Sequence, residues 1–311
     1  MTLEGLFVPL ITPFAADGTL AADALERLAH EVLEDGATGL VALGTTGEPA
    51  TLTDAERAQV VAVCARVCRE REAPLIVGVG TNSTATSVAA LADLDRRCTA
   101  ALTVVPYYTR PTEAGVLAHF RALAEVAPVP LIVYHVPYRT GLSLGAGTLL
   151  ALADLPGVIG LKHAAGAIDD ATIELMSARP ADFAVLAGDD RFAAPLLALG
   201  ASGAIAASAA VRTSAYAALV TAWRDGSVAA ARSLGHRLAA LSAALFAEPN
   251  PTVIKAVLAA QGRIPSAAVR LPLLPASDAA TRAALAALAE FPAPGTADDW
   301  CYGHGGATLK R

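Results

Sequence analysis

Short apolar runs recur along the chain, separated by longer stretches in which alanine and leucine alternate with charges. Eight runs read as strands: 7–14, 39–44, 74–80, 102–107, 130–136, 158–163, 183–188 and 203–207. They are near-continuous rather than alternating, and valine and isoleucine are common in them, the signature of parallel strands covered on both faces. Between them, 21–33, 54–71, 84–94, 113–125 and 145–152 keep their charges to one side and read as helices.

Eight strand and helix units, spaced about 20 to 35 residues apart, predict an α/β fold of the (β/α)8 TIM barrel type rather than an open doubly wound sheet. A dinucleotide-binding sheet would place a glycine fingerprint after its first strand, where this chain has Thr12-Pro13-Phe14. The barrel is expected to occupy residues 1–225. Further strand runs are missing beyond it, and 233–246, 252–260 and 279–288 read as helices, so 226–290 is expected to form a C-terminal helical extension packed on the barrel or on a partner subunit. Residues 291–311, rich in proline, glycine and aspartate, are expected to be a loosely ordered tail.

Composition narrows the function classes. With 311 residues, 54% of them hydrophobic, the chain has material for a large core. A formal charge of −6 offers no field for a polyanion, so nucleic acid is not an expected partner. The first ten residues lack a basic leader, and no apolar run approaches the roughly 20 residues of a membrane span, so a cytoplasmic protein without membrane contact is expected. Cys64, Cys68, Cys98 and Cys301 have no histidine or second cysteine pair at zinc-binding spacing and read as free thiols. Asp189 and Asp190 likewise lack a matching histidine; no metal and no cofactor is expected, and the two carboxylates read as orienting their loop.

The candidate chemistry gathers where a barrel puts it, at the C-terminal ends of the strands. Only three lysines occur in the chain, and one of them, Lys162, ends the sixth apolar run. Arginine cannot shed its proton at usable pH, whereas a desolvated lysine can, and a neutral amine attacks a ketone to give an imine and then an enamine. The alternative is a lysine that reaches solvent and pairs with a carboxylate. Tyr134, at the end of the fifth run, and Tyr108, beyond the fourth, supply phenols for the proton transfers that imine formation needs, and Thr45 is a short hydroxyl able to connect them. Gly44-Thr45-Thr46-Gly47 is a small turn with exposed N–H groups suited to a carboxylate, and it lacks the lysine of a P-loop. Arg139, at the rim, can hold a second carboxylate through a bidentate fork.

Taken in order, Gly44-Thr-Thr-Gly-Glu48, Pro106-Tyr-Tyr108, Tyr134 with Arg139-Thr-Gly141, Leu161-Lys162, Gly188-Asp-Asp190, Gly203-Ala-Ile205 and Asn250-Pro251 with Lys255 resemble the dihydrodipicolinate synthase and N-acetylneuraminate lyase family over about residues 6 to 290. The resemblance implies a Schiff base between pyruvate and Lys162, with Tyr134, Thr45 and Tyr108 as the proton relay, Tyr108 reaching into a neighbouring subunit's site. It implies that Thr46 holds the pyruvate carboxylate, that Gly188 and Ile205 lend backbone around the pyruvyl group, and that Arg139 meets the carboxylate of L-aspartate-4-semialdehyde. A homo-oligomer, a tetramer built as a dimer of dimers, is implied too. Pro49, His135, His163 and Ala210 depart from the usual synthase residues; they leave the imine machinery whole and bear on the second substrate. The expected reaction is therefore the synthase condensation. The alternatives are a pyruvate-dependent aldolase or hydratase-aldolase acting on another small aldehyde or 2-oxo acid, and a catalytically silent binding paralogue.

Overall fold

In the computed structural model, which describes residues 3–291, eight parallel strands close into a barrel in sequence order, with the first hydrogen-bonded to the eighth. The strands are β1 (Gly5–Pro9), β2 (Gly39–Ala42), β3 (Leu75–Gly78), β4 (Ala100–Val104), β5 (Leu131–His135), β6 (Val158–His163), β7 (Ala184–Ala187) and β8 (Gly203–Ile205). Both faces of each strand are buried, which is why the apolar runs are continuous. Phe7, Val41, Ile76, Ile132, Leu186 and Ile205 fill the interior, while Val8, Leu40, Val77, Val133 and Leu161 turn outward against the helices.

The helical layer follows strand by strand: α1 (Ala22–Glu34), α2 (Asp54–Glu70), α3 (Thr84–Ala92), α4 (Glu113–Val126), the single turn α5 (Pro137–Thr140), α6 (Ala146–Ala153), α7 (Asp170–Ala178), α8 (Ala193–Ala198) and α9 (Thr213–Arg224). Their starts are written locally. Thr53 and Glu56 form a reciprocal capping box on α2, and Ser83, Thr112 and Asp169 accept first-turn N–H groups on α3, α4 and α7.

Two expected strands shift. The first run, 7–14, is a strand only to Pro9; Leu10, Ile11 and Phe14 stay apolar because they are buried as loop, with Phe14 lying under the Lys255 and Arg270 cations. The fourth strand starts at Ala100 and ends at Val104, so Pro106 and Tyr107 belong to the loop beyond it; Ala100 and Ala101 pair in register with Ile76 and Val77.

Beyond α9 come α10 (Val228–Leu245), α11 (Thr252–Ala260) and α12 (Asp278–Ala289), and no further strand is found among the described residues. Helix α10 packs along α9 and α12, and the start of α11 reaches the barrel mouth. The tail 292–311, including Cys301, lies outside the described residues. Cys64, Cys68 and Cys98 are buried free thiols, and burial pushes Cys68 up to about 12. No helix among the described residues is long and apolar enough to cross a membrane.

Candidate active site

Tyr134 and Lys162 are register partners on β5 and β6, both pointing into the barrel at the C-terminal end. The Lys162 Nζ stands 4.3 Å from the centroid of the Tyr134 ring, and the lysine is 5% exposed. Burial pushes its amine down to about 8; the buried Asp190 carboxylate opposes that shift and the Arg139 charge adds to it. Near neutral pH the neutral fraction of this amine is therefore far above that of an ordinary lysine. Burial likewise raises the Tyr134 phenol, while Arg139 and a hydrogen bond with the Thr45 side chain pull it back. Tyr134 is thus a protonated phenol whose ring face meets the amine and whose hydroxyl is hydrogen-bonded with Thr45.

Gly188, just past β7, makes room for this lysine. A Cβ there would stand 2.6 Å from Lys162 Cγ and 3.0 Å from Cε, and the Gly188 N–H is fixed by the His163 carbonyl at 2.8 Å. Asp190, two residues on, is buried with its carboxylate accepting N–H groups of Ala207 at 3.2 Å and Ser208 at 2.5 Å. The negative charge beneath the amine is thereby neutralised in part by backbone dipoles of the turn after β8. Ile205, the last residue of β8, closes the interior on that side.

The turn after β2 is held from outside the barrel. Leu43 and Glu48 bracket it in the left-handed region, at φ of 54° and 52°, with a 3₁₀ turn over Thr45–Gly47 between them. Thr12 Oγ1 donates to the Gly47 carbonyl at 2.7 Å, and Asn250 Nδ2 donates to Thr46 Oγ1 at 3.0 Å. Glu48 is buried with one carboxylate oxygen 2.6 Å from Lys255 Nζ, and the other accepts the Arg270 N–H at 3.0 Å. Lys255 is itself fully buried and lies over Phe14, so the turn carrying Thr45 and Thr46 is clamped by groups more than 200 residues away.

At the rim Arg139 sits on α5 with its guanidinium 4.8 Å above the Tyr138 ring, and no carboxylate pairs with it among the described residues. A cleft runs from the mouth over α2 and α3, with Thr45, Tyr134, Arg139 and Asn250 in its wall. Tyr108 stands apart: it is 89% exposed, at φ 68°. Of the residues singled out from the sequence, the structure brings Lys162, Tyr134, Thr45, Thr46, Gly188, Ile205 and Arg139 to one mouth and leaves Tyr108 outside it. Asn250, Lys255 and the inward Asp190 received no chemical role from the sequence. Asn250 and Lys255 had entered only as part of the family-like motif, and the scarcity of lysine is a second signal for Lys255.

This arrangement has an amine poised to lose its proton, a phenol in contact with it, a hydroxyl beyond the phenol, and a cation at the entrance. It suits addition of the amine to a carbonyl, followed by proton transfers at carbon. Among the described residues no group of three or more histidine, cysteine, aspartate or glutamate side chains could hold a metal.

Comparison with known proteins agrees in outline. The profile of the Dihydrodipicolinate synthetase family matches residues 2–290. The 4-hydroxy-tetrahydrodipicolinate synthase of Neisseria gonorrhoeae is 39% identical over 290 residues, 92% of this chain and 98% of that protein. Dihydrodipicolinate synthase of Thermotoga maritima superposes with a TM-score of 0.89 at 33% identity, covering 93% of this chain and 99% of that one. The chloride-inhibited dihydrodipicolinate synthase of Acinetobacter baumannii, solved with pyruvate, gives 0.88 at 35% identity over 93% and 99%.

Proposed function

The chain belongs to the dihydrodipicolinate synthetase family, and from that membership together with the site we propose that it condenses pyruvate with L-aspartate-4-semialdehyde, as a 4-hydroxy-tetrahydrodipicolinate synthase. The observation that carries the reading is the buried Lys162 amine held 4.3 Å from the centre of the Tyr134 ring.

In this reading the neutral Lys162 amine adds to the ketone carbon of pyruvate. The carbinolamine loses water to give the imine, with Tyr134 returning and accepting protons and Thr45 as the next hydroxyl in the relay. Loss of a methyl proton gives an enamine, whose carbon bonds to the aldehyde carbon of the acceptor; the resulting alkoxide takes a proton and becomes the 4-hydroxyl. The acceptor's own amine then attacks the imine carbon, which frees Lys162 and closes a six-membered ring, so that one water is released overall. Thr46 seats the pyruvate carboxylate, Gly188 and Ile205 border the pyruvyl group, and Arg139 meets the acceptor's carboxylate.

Three of the four departures from the usual synthase residues weigh less on the acceptor than their sequence positions suggest. His135 and His163 turn outward from the barrel, away from the mouth, and Ala210 is buried in the turn after β8. Pro49, on the 3₁₀ turn after Glu48 with its carbonyl engaged by Arg57, is the departure that lines the cleft. The placement of the other three favours the synthase over an aldolase for another 2-oxo acid, and the intact lysine, phenol and hydroxyl set argues against a silent paralogue. The same reading carries a cytoplasmic homo-oligomer, a tetramer of two dimers, in which the outward Tyr108 completes a neighbour's relay. It also makes residues 1–225 the catalytic barrel and 226–290 the helical region that braces its mouth.

Turnover with a panel of aldehydes tests the acceptor. Arg139→Ala is expected to lose about 10 to 150-fold in kcat/KM on carboxylated aldehydes, the worth of roughly 1.5 to 3 kcal/mol in a charge-assisted contact, with little change on neutral analogues. Equal losses on both sets, or turnover of another acceptor in preference to aspartate semialdehyde, would remove the synthase reading.

A further inference from the structure

His135 and His163 stand beside the candidate reacting pair without belonging to it. Each follows Tyr134 or Lys162 by one residue, so strand alternation turns it to the outer face of the barrel, in the layer of Val133 and Leu161. They are register partners and are buried, with ring centroids 5.7 Å apart and planes inclined by 41°. Two apolar side chains would fill that layer without polar atoms to satisfy, so two imidazoles require an account of all four ring nitrogens.

The neighbours dictate the tautomers. His135 Nε2 lies 3.3 Å from the Leu144 backbone N–H, which only donates, so Nε2 carries the lone pair and Nδ1 the proton. On the other ring, Thr172 Oγ1 is 2.6 Å from Asp169 Oδ1 and 2.9 Å from His163 Nε2. The Asp169 carboxyl is held below its usual range, chiefly by the Thr172 hydroxyl, and so accepts the only hydroxyl proton. Thr172 therefore accepts from His163, whose proton sits on Nε2 and leaves Nδ1 bare. Burial keeps both rings neutral, pushing His135 down to about 3 and lowering His163. What remains is a donor at His135 Nδ1 and an acceptor at His163 Nδ1, and these are the two ring nitrogens that are buried without a partner.

We infer that one buried water accepts from His135 Nδ1–H and donates to His163 Nδ1, completing a one-way hydrogen-bond chain from the Leu144 N–H through both imidazoles and Thr172 to Asp169. The chain joins three parts of the site's support: Leu144 at the end of the segment that follows Arg139, the β5–β6 ladder one rung beyond Tyr134 and Lys162, and the N-cap of α7. His135 and His163 are thus positioning residues. They act by holding the Tyr134 ring and the Lys162 amine in contact and by fixing where the Arg139 turn leaves β5. This role rests on the reading that Lys162 forms the imine.

Histidine-labelled full-length protein, with ¹⁵N long-range correlations assigned through His135→Asn and His163→Asn, reads the chain without reference to activity. The expected spectrum shows His135 as the neutral Nδ1–H tautomer and His163 as the neutral Nε2–H tautomer at pH 7 and above, with His135 still neutral at pH 6. A nuclear Overhauser contact between His135 Nδ1–H and a long-lived water marks the bridge, and the same tautomers without such a water overturn it. His135 protonated on Nε2, or either ring charged at pH 7, overturns the chain. For the positioning role, His163→Leu is expected to slow borohydride trapping of the pyruvate imine at least about tenfold, with pyruvate KM within about twofold. A folded His163→Leu that traps at the wild-type rate overturns the role, whereas absence of trapping in the wild type overturns the imine itself.

Discussion

A Cβ on Gly188 would stand 2.6 Å from Cγ of Lys162, so the candidate nucleophile occupies space that exists only because residue 188 has no side chain. Gly188→Ala must displace the Lys162 stem or the end of β7. The expected outcome is a folded protein destabilised by about 1 to 3 kcal/mol, with kcat/KM down roughly 10 to 100-fold. Thermal unfolding alongside steady-state kinetics checks it; unchanged kinetics would mean that the lysine's placement is not critical.

The ionisation of Lys162 sets the pH dependence. Burial lowers its amine to about 8, so kcat/KM for pyruvate should rise as pH increases through about 8 and level off above it, because only the neutral amine attacks. Asp190 favours the ammonium and Arg139 opposes it. Asp190→Asn should therefore move the rise to lower pH, and Arg139→Ala should move it to higher pH. Shifts in one common direction would contradict the assignment.

The Lys255–Glu48 pair should behave as a buried charge pair. Lys255→Met leaves the Glu48 carboxylate buried without its ammonium and is expected to cost about 3 to 5 kcal/mol, while Glu48→Gln combined with Lys255→Met recovers much of that loss. Denaturant unfolding of the single and double variants gives the coupling. Additive losses would show that the two side chains do not support each other.

Tyr108 is 89% exposed, so the relay role proposed for it would require a second subunit. Activity is expected to fall on dilution in step with dissociation measured by sedimentation, and Tyr108→Phe should lower kcat without changing assembly. Full activity in a demonstrated monomer would separate Tyr108 from the reaction.

Much of this was legible in the sequence because a parallel barrel writes its strands as valine- and isoleucine-rich runs and places chemistry at their ends. Lys162 was conspicuous in a chain with three lysines, and Tyr134 shares its rung. The limits of β1 were not legible, since Leu10, Ile11 and Phe14 are as apolar in a buried loop as in a sheet. Nor was the clamp on the Thr45–Thr46 turn, because Glu48 and Lys255 are separated by 207 positions and no local spacing links them. Adjacent Asp189 and Asp190 gave no sign of which carboxylate turns toward the amine; that depends on the N–H groups of Ala207 and Ser208. The outward facing of His135 and His163 follows from alternation once Tyr134 and Lys162 are known to face inward.

The central claim is that Lys162 forms an imine with pyruvate. Protein incubated with pyruvate and sodium borohydride, then examined by intact mass and peptide mapping, should gain one reduced adduct of about 72 Da per chain, confined to the peptide bearing Lys162 and lost in Lys162→Arg. Wild-type protein that gains no adduct, or carries it on Lys255 instead, would contradict the account.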